Sequence, residues 1–182
     1  VKGSLFVIGA RPKMGKTTLY GQMAINCAVR EKKPALMFSL EMPGDQILEK
    51  LVGQKSGINP SIFYMPATDD ADDEYQGDYD GDFKKAIATA GRLSEIDMLY
   101  IDDTPDLSLA HIVSESRRIK REKGCVGMIL VDDLTLMTAE KADRNDLADG
   151  MITKGLKNLA KELGCVVVLL TQLNRELEKR VN

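Results

Sequence analysis

The segment from Ser4 to Thr18 reads SLFVIGARPKMGKTT and is the strongest indicator of the fold of this 182-residue chain. It opens with a hydrophobic run typical of a buried strand, and a helical pattern begins at Lys16. Gly15-Lys16-Thr17 at the junction matches a P-loop, a turn whose backbone N–H groups and following helix N-terminus bind phosphate oxygens. In such a loop the lysine contacts the β- and γ-phosphates, and the threonine hydroxyl binds Mg²⁺.

The segment therefore predicts ATP and Mg²⁺ as cofactors, with Lys16 as a catalytic residue and Thr17 as a metal ligand. The general P-loop pattern has a glycine five residues before Gly15, where this chain has Ala10 preceded by Gly9. The predicted nucleotide-binding residues are Ala10, Arg11, Pro12, Lys13, Met14, Gly15, Lys16, Thr17 and Thr18.

Four more hydrophobic runs predict, together with this strand, a mainly parallel sheet with helices on both faces. The runs are continuous rather than alternating, which is typical of strands that are covered on both sides. Strands that alternate with helical patterns predict an α/β fold, here a RecA-like P-loop domain that spans residues 1–182 as a single unit. The predicted strands are Ser4–Gly9, Ala35–Leu40, Met98–Ile101, Gly127–Val131 and Cys165–Leu170. The predicted helices are Lys16–Glu31, Leu107–Lys123 with Asp106 as its cap, and Asp146–Leu163, which ends before Gly164.

A carboxylate for the metal is expected at the end of a second strand. Asp132 directly follows the fourth hydrophobic run and is the Walker B candidate, which would hold Mg²⁺ through a coordinated water. The alternative is that Asp132 and Asp133 only close the strand as a turn or cap. Asp133 has either a supporting role beside the metal or simple contact with solvent.

Two other polar residues end strands at the same predicted edge. Glu41 follows the second run, where a carboxylate can polarise the attacking water, so we predict it to be catalytic. The alternative is that Glu41 caps a helix that starts near Gly44. Gln172 follows the last run, and we predict that it senses the γ-phosphate and passes this information to the segment after it.

The composition is that of one globular domain without a membrane span. Hydrophobic residues make up 43% of the chain and the formal net charge is −3, so binding of nucleic acid would need local basic patches or a ring of subunits. The three cysteines lie in apolar or helical sequence without metal-ligand spacing, as in reduced proteins of the cytoplasm. No hydrophobic run approaches the ~20 residues that a membrane helix needs.

One acidic stretch interrupts the α/β pattern. Residues 68–82 contain seven aspartates and one glutamate and almost no core-forming side chains, so we predict a solvated surface loop. A calcium site is not expected, because the spacing does not complete the calcium-loop pattern.

Six motifs extend across essentially the whole chain, and their order is informative. They are Ala10–Thr18, Phe38–Pro43 (FSLEMP), Tyr100–Asp103 (YIDD), Asp132–Met137 (DDLTLM), Leu156–Leu163 (LKNLAKEL) and Thr171–Arg175 (TQLNR). In content and order they resemble the bacterial and phage replicative DNA helicases of the DnaB family. In that family alanine or glycine is normal at the position of Ala10. Two departures are Asp133, where the family commonly has tyrosine, and the acidic stretch.

The resemblance implies a function and assigns roles. Glu41 matches the family's catalytic glutamate, Asp132 its Walker B aspartate, and Gln172 the glutamine that couples ATP state to DNA contact. The family forms hexameric rings that move single-stranded DNA through a central channel, with primase and a helicase loader as further partners. We therefore expect a cytoplasmic ATP-dependent helicase motor.

The resemblance also places the DNA-contacting loops after the Walker B strand and after Gln172. The basic residues expected to neutralise DNA phosphates there are Lys141, Arg144, Arg175, Lys179 and Arg180. The alternative is that these residues are simply solvated, because acidic residues are interleaved with them and no aromatic residue is available to stack on a base.

Further strands and the arginine that completes a neighbour's ATP site follow the glutamine motif in family members. We therefore expect the 182-residue chain alone to bind Mg-ATP, to hydrolyse it poorly and not to unwind DNA. Two other hypotheses stay open at this point. One is a RecA-like or clock-type ATPase in which nucleotide binding controls assembly, and the other is a nucleotide-gated loader or assembly factor.

Overall fold

The described part of the protein is built around one five-stranded parallel sheet. The computed structural model describes residues 1–11, 13–65, 77–133 and 145–172. The strands are β1 (Ser4–Ala10), β2 (Ala35–Ser39), β3 (Leu99–Asp102), β4 (Met128–Asp132) and β5 (Val166–Gln172). The helices are α1 (Lys16–Ile25), α2 (Gly44–Ser56), α3 (Tyr79–Ser94), α4 (Leu109–Lys123) and α5 (Asn145–Leu163). A π-helical turn at Asn26–Arg30 extends α1, and a 3₁₀ segment lies at Pro60–Tyr64.

The strand order places the ends of distant segments side by side. The order is β1-β5-β4-β2-β3, and every described strand pair is parallel. All five carboxyl ends therefore meet at one edge of the sheet, where such folds bind ligands. The predicted parallel α/β fold is confirmed.

Within the described ranges, two hydrophobic cores cover the inner strands, one on each face of the sheet. Within β2, Ala35 and Met37 belong to the core formed with α1, α2 and α3, whereas Leu36 and Phe38 belong to the core formed with α4 and α5. These four residues are at most 2% exposed. Because successive side chains of a strand point to opposite faces, burial of both faces requires the unbroken apolar runs seen in the sequence.

Several element boundaries differ from those predicted. The last turn of the predicted helix Lys16–Glu31 is π-helical. Helix α4 is capped by Ser108, whose Oγ accepts a hydrogen bond from the His111 N–H at 3.2 Å, whereas Asp106 lies before it with a left-handed φ of 56°. The prediction of Asp106 as the cap was therefore wrong.

The predicted acidic loop is shorter than 68–82. Residues 79–82 form the first turn of α3, and Asp78 is its N-cap, because its Oδ1 accepts a hydrogen bond from the Gly81 N–H at 2.9 Å. Carboxylates are favourable at a helix N-terminus because the helix dipole is positive there. The loop prediction was wrong for these residues, and residues 68–76 lie outside the described ranges.

Two smaller predictions can also be compared with the structure. Of the three cysteines, Cys27 and Cys165 are buried, whereas Cys125 is exposed. Among the described residues, no helix combines the length and apolarity that crossing a bilayer would need.

Helix α2 begins at a carboxylate from a different strand. Pro43 occupies the N-cap position and provides no side-chain acceptor, but Asp103, just after β3, accepts a hydrogen bond from the Gly44 N–H at 2.7 Å. This contact satisfies one of the unpaired N–H groups that every helix has at its start. Asp103 thereby connects the edge of the sheet to the segment that carries Glu41.

We expect Asp103→Ala to lower the free energy of unfolding by about 1 kcal/mol, because it removes the acceptor at this helix start. Urea denaturation measures the difference, provided that wild type and variant show the same dependence of the free energy of unfolding on urea concentration. Asp103→Asn keeps an acceptor oxygen in place and should lose about half as much. Equal stability of wild type and Asp103→Ala would contradict this assignment.

Candidate nucleotide-binding and hydrolysis site

The loop between β1 and α1 has the backbone of a phosphate-binding turn. Lys13 and Gly15 both adopt left-handed conformations, with φ values of 65° and 79°. A Cβ added to Gly15 would meet no atom within 4 Å, so the site has room for a side chain. Glycine suits this position because it adopts a left-handed φ without steric cost. Alternation of left- and right-handed residues turns backbone N–H groups toward a common centre and creates an anion site. Pro12, in the middle of the loop, lies outside the described residues.

Lys16, at the first position of α1, reaches the sheet edge and contacts a pair of buried carboxylates. Its Nζ lies 2.8 Å from Asp133 Oδ2 and 2.9 Å from Asp132 Oδ1, with Glu41 Oε2 at 3.8 Å. The side chains of Lys16, Asp132 and Asp133 are 10%, 3% and 1% exposed. Burial alone would lower the pKa of Lys16, but its contacts with Asp133 and Asp132 outweigh burial and raise that pKa. The carboxylates therefore favour the charged form of Lys16 at this edge.

Asp132 lies where a divalent cation would be favourable. Burial raises the pKa of Asp132, and repulsion from Glu41 and Asp133 adds to this, whereas Lys16 opposes it. Its Oδ1 is buried and lies 2.9 Å from Lys16 Nζ, with which it forms an ion pair. One oxygen each from Glu41, Asp132 and Asp133 lie within 4.8 Å of one another. Clustered carboxylate oxygens suit Mg²⁺, so the residues present fit this ion.

Glu41 is held at the site by a turn that follows β2. The Leu40 N–H donates to the Asp132 carbonyl at 2.7 Å, which continues the β2–β4 ladder by one residue. The Ser39 hydroxyl donates to the Met42 carbonyl at 2.7 Å and accepts from the Met42 N–H at 3.2 Å. These bonds close the chain around Glu41 and leave its side chain 44% exposed. Because Asp103 is the acceptor at the start of α2, the alternative role of Glu41 as a helix cap is not observed.

Gln172 ends β5, between the P-loop strand and the Asp132 strand. It pairs in register with Ala10, and its Nε2 lies 3.5 Å from both carboxylate oxygens of Glu41. This distance is at the outer limit of a hydrogen bond. The amide is thus a neighbour of both the phosphate loop and the predicted base.

A cleft of about 690 Å³ runs between the P-loop and α2. It is large enough for a nucleotide-sized ligand. The cleft contains most of the predicted nucleotide-binding residues and adds a wall from α2 that the sequence did not indicate. Its lining residues are Arg11, Lys13, Gly15, Lys16, Thr17, Thr18, Glu41, Met42, Lys50, Gly53, Gln54, Pro60 and Gln172.

The structure therefore brings Lys16, Thr17, Glu41, Asp132 and Gln172 to one edge of the sheet. Asp133 is buried and accepts a hydrogen bond from Lys16. Of its two predicted roles, contact with solvent was therefore wrong. The basic residues predicted to contact DNA lie outside the described ranges; they are Lys141, Arg144, Arg175, Lys179 and Arg180.

The sheet order, the left-handed turn before α1 and the carboxylates beside its lysine together define a RecA-like P-loop domain. Comparison with known families specifies it further. A model described as the DnaB-like helicase C terminal domain matches residues 1–182, and the chain belongs to this family.

Individual relatives agree with this assignment. The chain is 38% identical over 179 residues to the replicative DNA helicase DnaB of Pasteurella multocida (strain Pm70), covering 98% of this chain and 36% of that protein. It is 35% identical over 183 residues to replicative DNA helicase DnaB of Synechocystis sp. (strain ATCC 27184 / PCC 6803 / Kazusa), covering 100% of this chain and 20% of that protein. The chain thus spans about a third or less of the length of these curated relatives.

Solved structures show the same fold. One of them, described as an ATPase domain, superimposes with a TM-score of 0.83 at 27% identity, covering 100% of this chain and 61% of that one. A DnaB-like replicative helicase, whose structure is described together with its interactions with primase, gives a TM-score of 0.82 at 27% identity. That match covers 100% of this chain and 41% of the other.

Proposed function

We propose that this domain is the motor of a replicative DNA helicase, which couples hydrolysis of Mg-ATP to movement along single-stranded DNA and to duplex unwinding. The observation that carries the proposal is the meeting of Lys16, Glu41 and Asp132, which come from three separate segments. ATP hydrolysis needs a phosphate-binding lysine, a metal-binding carboxylate and a second carboxylate that water can reach.

Each residue has a role in this proposal. The loop from Ala10 to Thr18 binds the phosphates, with Lys16 as the cation at the β- and γ-phosphates. Thr17 and Asp132 hold Mg²⁺, which when bound neutralises the charge that develops on the phosphoryl oxygens. Glu41 orients the attacking water and accepts its proton. Gln172, beside Glu41, conveys the state of the nucleotide to the segment that follows β5.

The proposal includes partners. Single-stranded DNA, bound through the basic residues after β4 and after β5, is the proposed track, and the proposed assembly is a hexameric ring in the cytoplasm. One structural relative is described with primase, which supports primase as a partner, and a helicase loader is proposed on the family resemblance. DNA binding through phosphate contacts would be independent of sequence.

A strand-displacement assay on the full-length protein tests the proposal. Wild type should release the labelled strand only with Mg-ATP, and Lys16→Ala should release none. Lys55→Ala is the matched control, because Lys55 is exposed near the end of α2 and does not line the cleft. ATP-dependent assembly without strand release would favour the clock-type or loader hypotheses. Unwinding by Lys16→Ala would refute the assignment of the ATP site.

A further inference from the structure

Helix α2 contributes a second wall to the cleft that the P-loop lines. Lys50, Gly53 and Gln54 line the cleft, and their spacing of three and four residues places them on one face of the helix. A Cβ on Gly53 would lie 2.6 Å from Pro60 Cγ and 2.8 Å from the Ile58 carbonyl oxygen. Glycine at this position therefore allows the 3₁₀ segment to pack closely, with Pro60 at the end of the same wall.

This wall is tied to the P-loop helix. Gln54 Nε2 donates to Gln22 Oε1 at 3.1 Å, which connects α2 to α1. A Cβ on Gly21 would overlap Leu51 Cδ2, so the two helices are in close contact at this level. The separation between α2 and the phosphate loop is consequently set by direct packing and by a side-chain hydrogen bond.

Lys50 is a cation on this wall without an acidic partner among the described residues. Its Nζ lies 3.1 Å from the Met42 Sδ, a weak acceptor, and Met42 directly follows Glu41. The adjacent acid, Glu49, instead accepts a hydrogen bond from the Tyr64 hydroxyl at 2.6 Å. Lys50 therefore lies on the side of the cleft where Glu41 is, and its charge is available to an anion.

Among the described residues that line the cleft, Lys50 is the one cation to which no role was predicted. The ionisable side chains that line it are Arg11, Lys13, Lys16, Lys50 and Glu41. A lysine is a compact charge on a flexible stem, so Lys50 can leave the methionine sulfur at small cost when a stronger acceptor enters. In the proposed function Glu41 activates the water that attacks the terminal phosphate of the nucleotide. This phosphate would therefore be the hydrogen-bond acceptor of the nucleotide nearest to Glu41.

We propose that Lys50, on the α2 wall of the cleft, binds the terminal phosphate of the nucleoside triphosphate within the same subunit. The inference rests on the proposed function and adds a residue to it. Lys50 then distinguishes the triphosphate from the diphosphate, because only the triphosphate has a group at this position.

Calorimetric titration of the full chain with two ligands tests this inference. The ligands are Mg-ADP and the Mg complex of a slowly hydrolysed ATP analogue with a thio-substituted terminal phosphate. Lys50→Met should weaken binding of the triphosphate about tenfold and that of ADP less than about twofold, since one charge-assisted contact is lost. Lys50→Arg should restore at least half of the lost discrimination, and Lys55→Met should bind both ligands as wild type does.

Equal weakening of both ligands by Lys50→Met, or no weakening, would overturn the inference. Lys16→Ala separates this failure from failure of the proposed function. If wild type binds both ligands and Lys16→Ala binds neither, the nucleotide site stands and only the role of Lys50 is tested. If Lys16→Ala binds as wild type does, the proposed site itself is wrong. Unchanged thermal midpoints of the Lys50 variants exclude a folding defect.

Discussion

Glu41→Gln is expected to lower the rate of ATP hydrolysis by about 10²–10⁴-fold while changing nucleotide affinity by less than about threefold. Glutamine keeps the size of the side chain but cannot accept a proton. Glu41 is also the most exposed of the three clustered carboxylates, so its loss does not leave a buried group without a partner. Steady-state phosphate release and direct nucleotide titration measure the two quantities separately.

Glu49→Gln provides the matched control for this variant. Glu49 lies on α2 next to Lys50, but it does not line the cleft and accepts a hydrogen bond from Tyr64. Its rate of hydrolysis should stay within about twofold of wild type. A Glu41→Gln variant that hydrolyses ATP at the wild-type rate would mean that another group activates the water. A loss of affinity as large as the loss of rate would mean that Glu41 binds the nucleotide rather than acting in catalysis.

Asp132→Asn should remove most of the effect of Mg²⁺ on nucleotide binding. In wild type we expect Mg²⁺ to strengthen ATP binding. In the variant the affinity for the metal should fall about 10–100-fold, because a neutral amide replaces a carboxylate at the metal. Asparagine has nearly the same volume, and Asp133 remains as a partner for Lys16. Titration with ATP in excess Mg²⁺ and in a chelator gives the dependence directly.

Asp102→Asn is the control for the metal experiment. Asp102 also ends a strand of the sheet, but it contacts His111 and Thr104 and does not line the cleft. This variant should keep the wild-type difference between Mg²⁺ and chelator. A full Mg²⁺ effect in Asp132→Asn would exclude Asp132 as a metal-binding residue.

The elements that could be predicted are those whose signal is local. Continuous apolar runs identified the five described strands, and burial on both faces explains such runs in the inner strands. The prediction of a buried strand was wrong for part of β1, at the edge of the described sheet, where Phe6 and Val7 are 50% and 52% exposed. The phosphate-binding turn was predictable from Gly15-Lys16-Thr17, because such a turn needs those residue types in consecutive positions. The structure adds the left-handed conformation of Gly15. The meeting of Glu41 and Asp132 followed from the rule that parallel strands end at one edge.

The features that were missed depend on tertiary contacts. Asp103 caps a helix that begins 59 residues earlier in the chain, and no local pattern indicates such a pairing. The two possible roles of Asp133 could not be separated in the sequence. Burial of its carboxylate costs free energy of desolvation, and the ion pair with Lys16, 117 residues away in the chain, offsets that cost. The cleft wall of Lys50 and Gln54 could not be inferred, since it depends on how α2 packs against α1.

The sheet order also has a consequence for the way in which the chain acquires its structure. In the described sheet β1 pairs with β5, with Ser4 opposite Val166 and Ala10 opposite Gln172. During synthesis the phosphate-loop strand must therefore remain without its partner until nearly the last described residues have been translated, roughly 10–30 s later at cellular elongation rates. Pairing of such distant segments is also intrinsically slow. The nucleotide site is thus among the last parts of the domain to be completed, and the nascent chain carries the unpaired backbone of β1 throughout that interval.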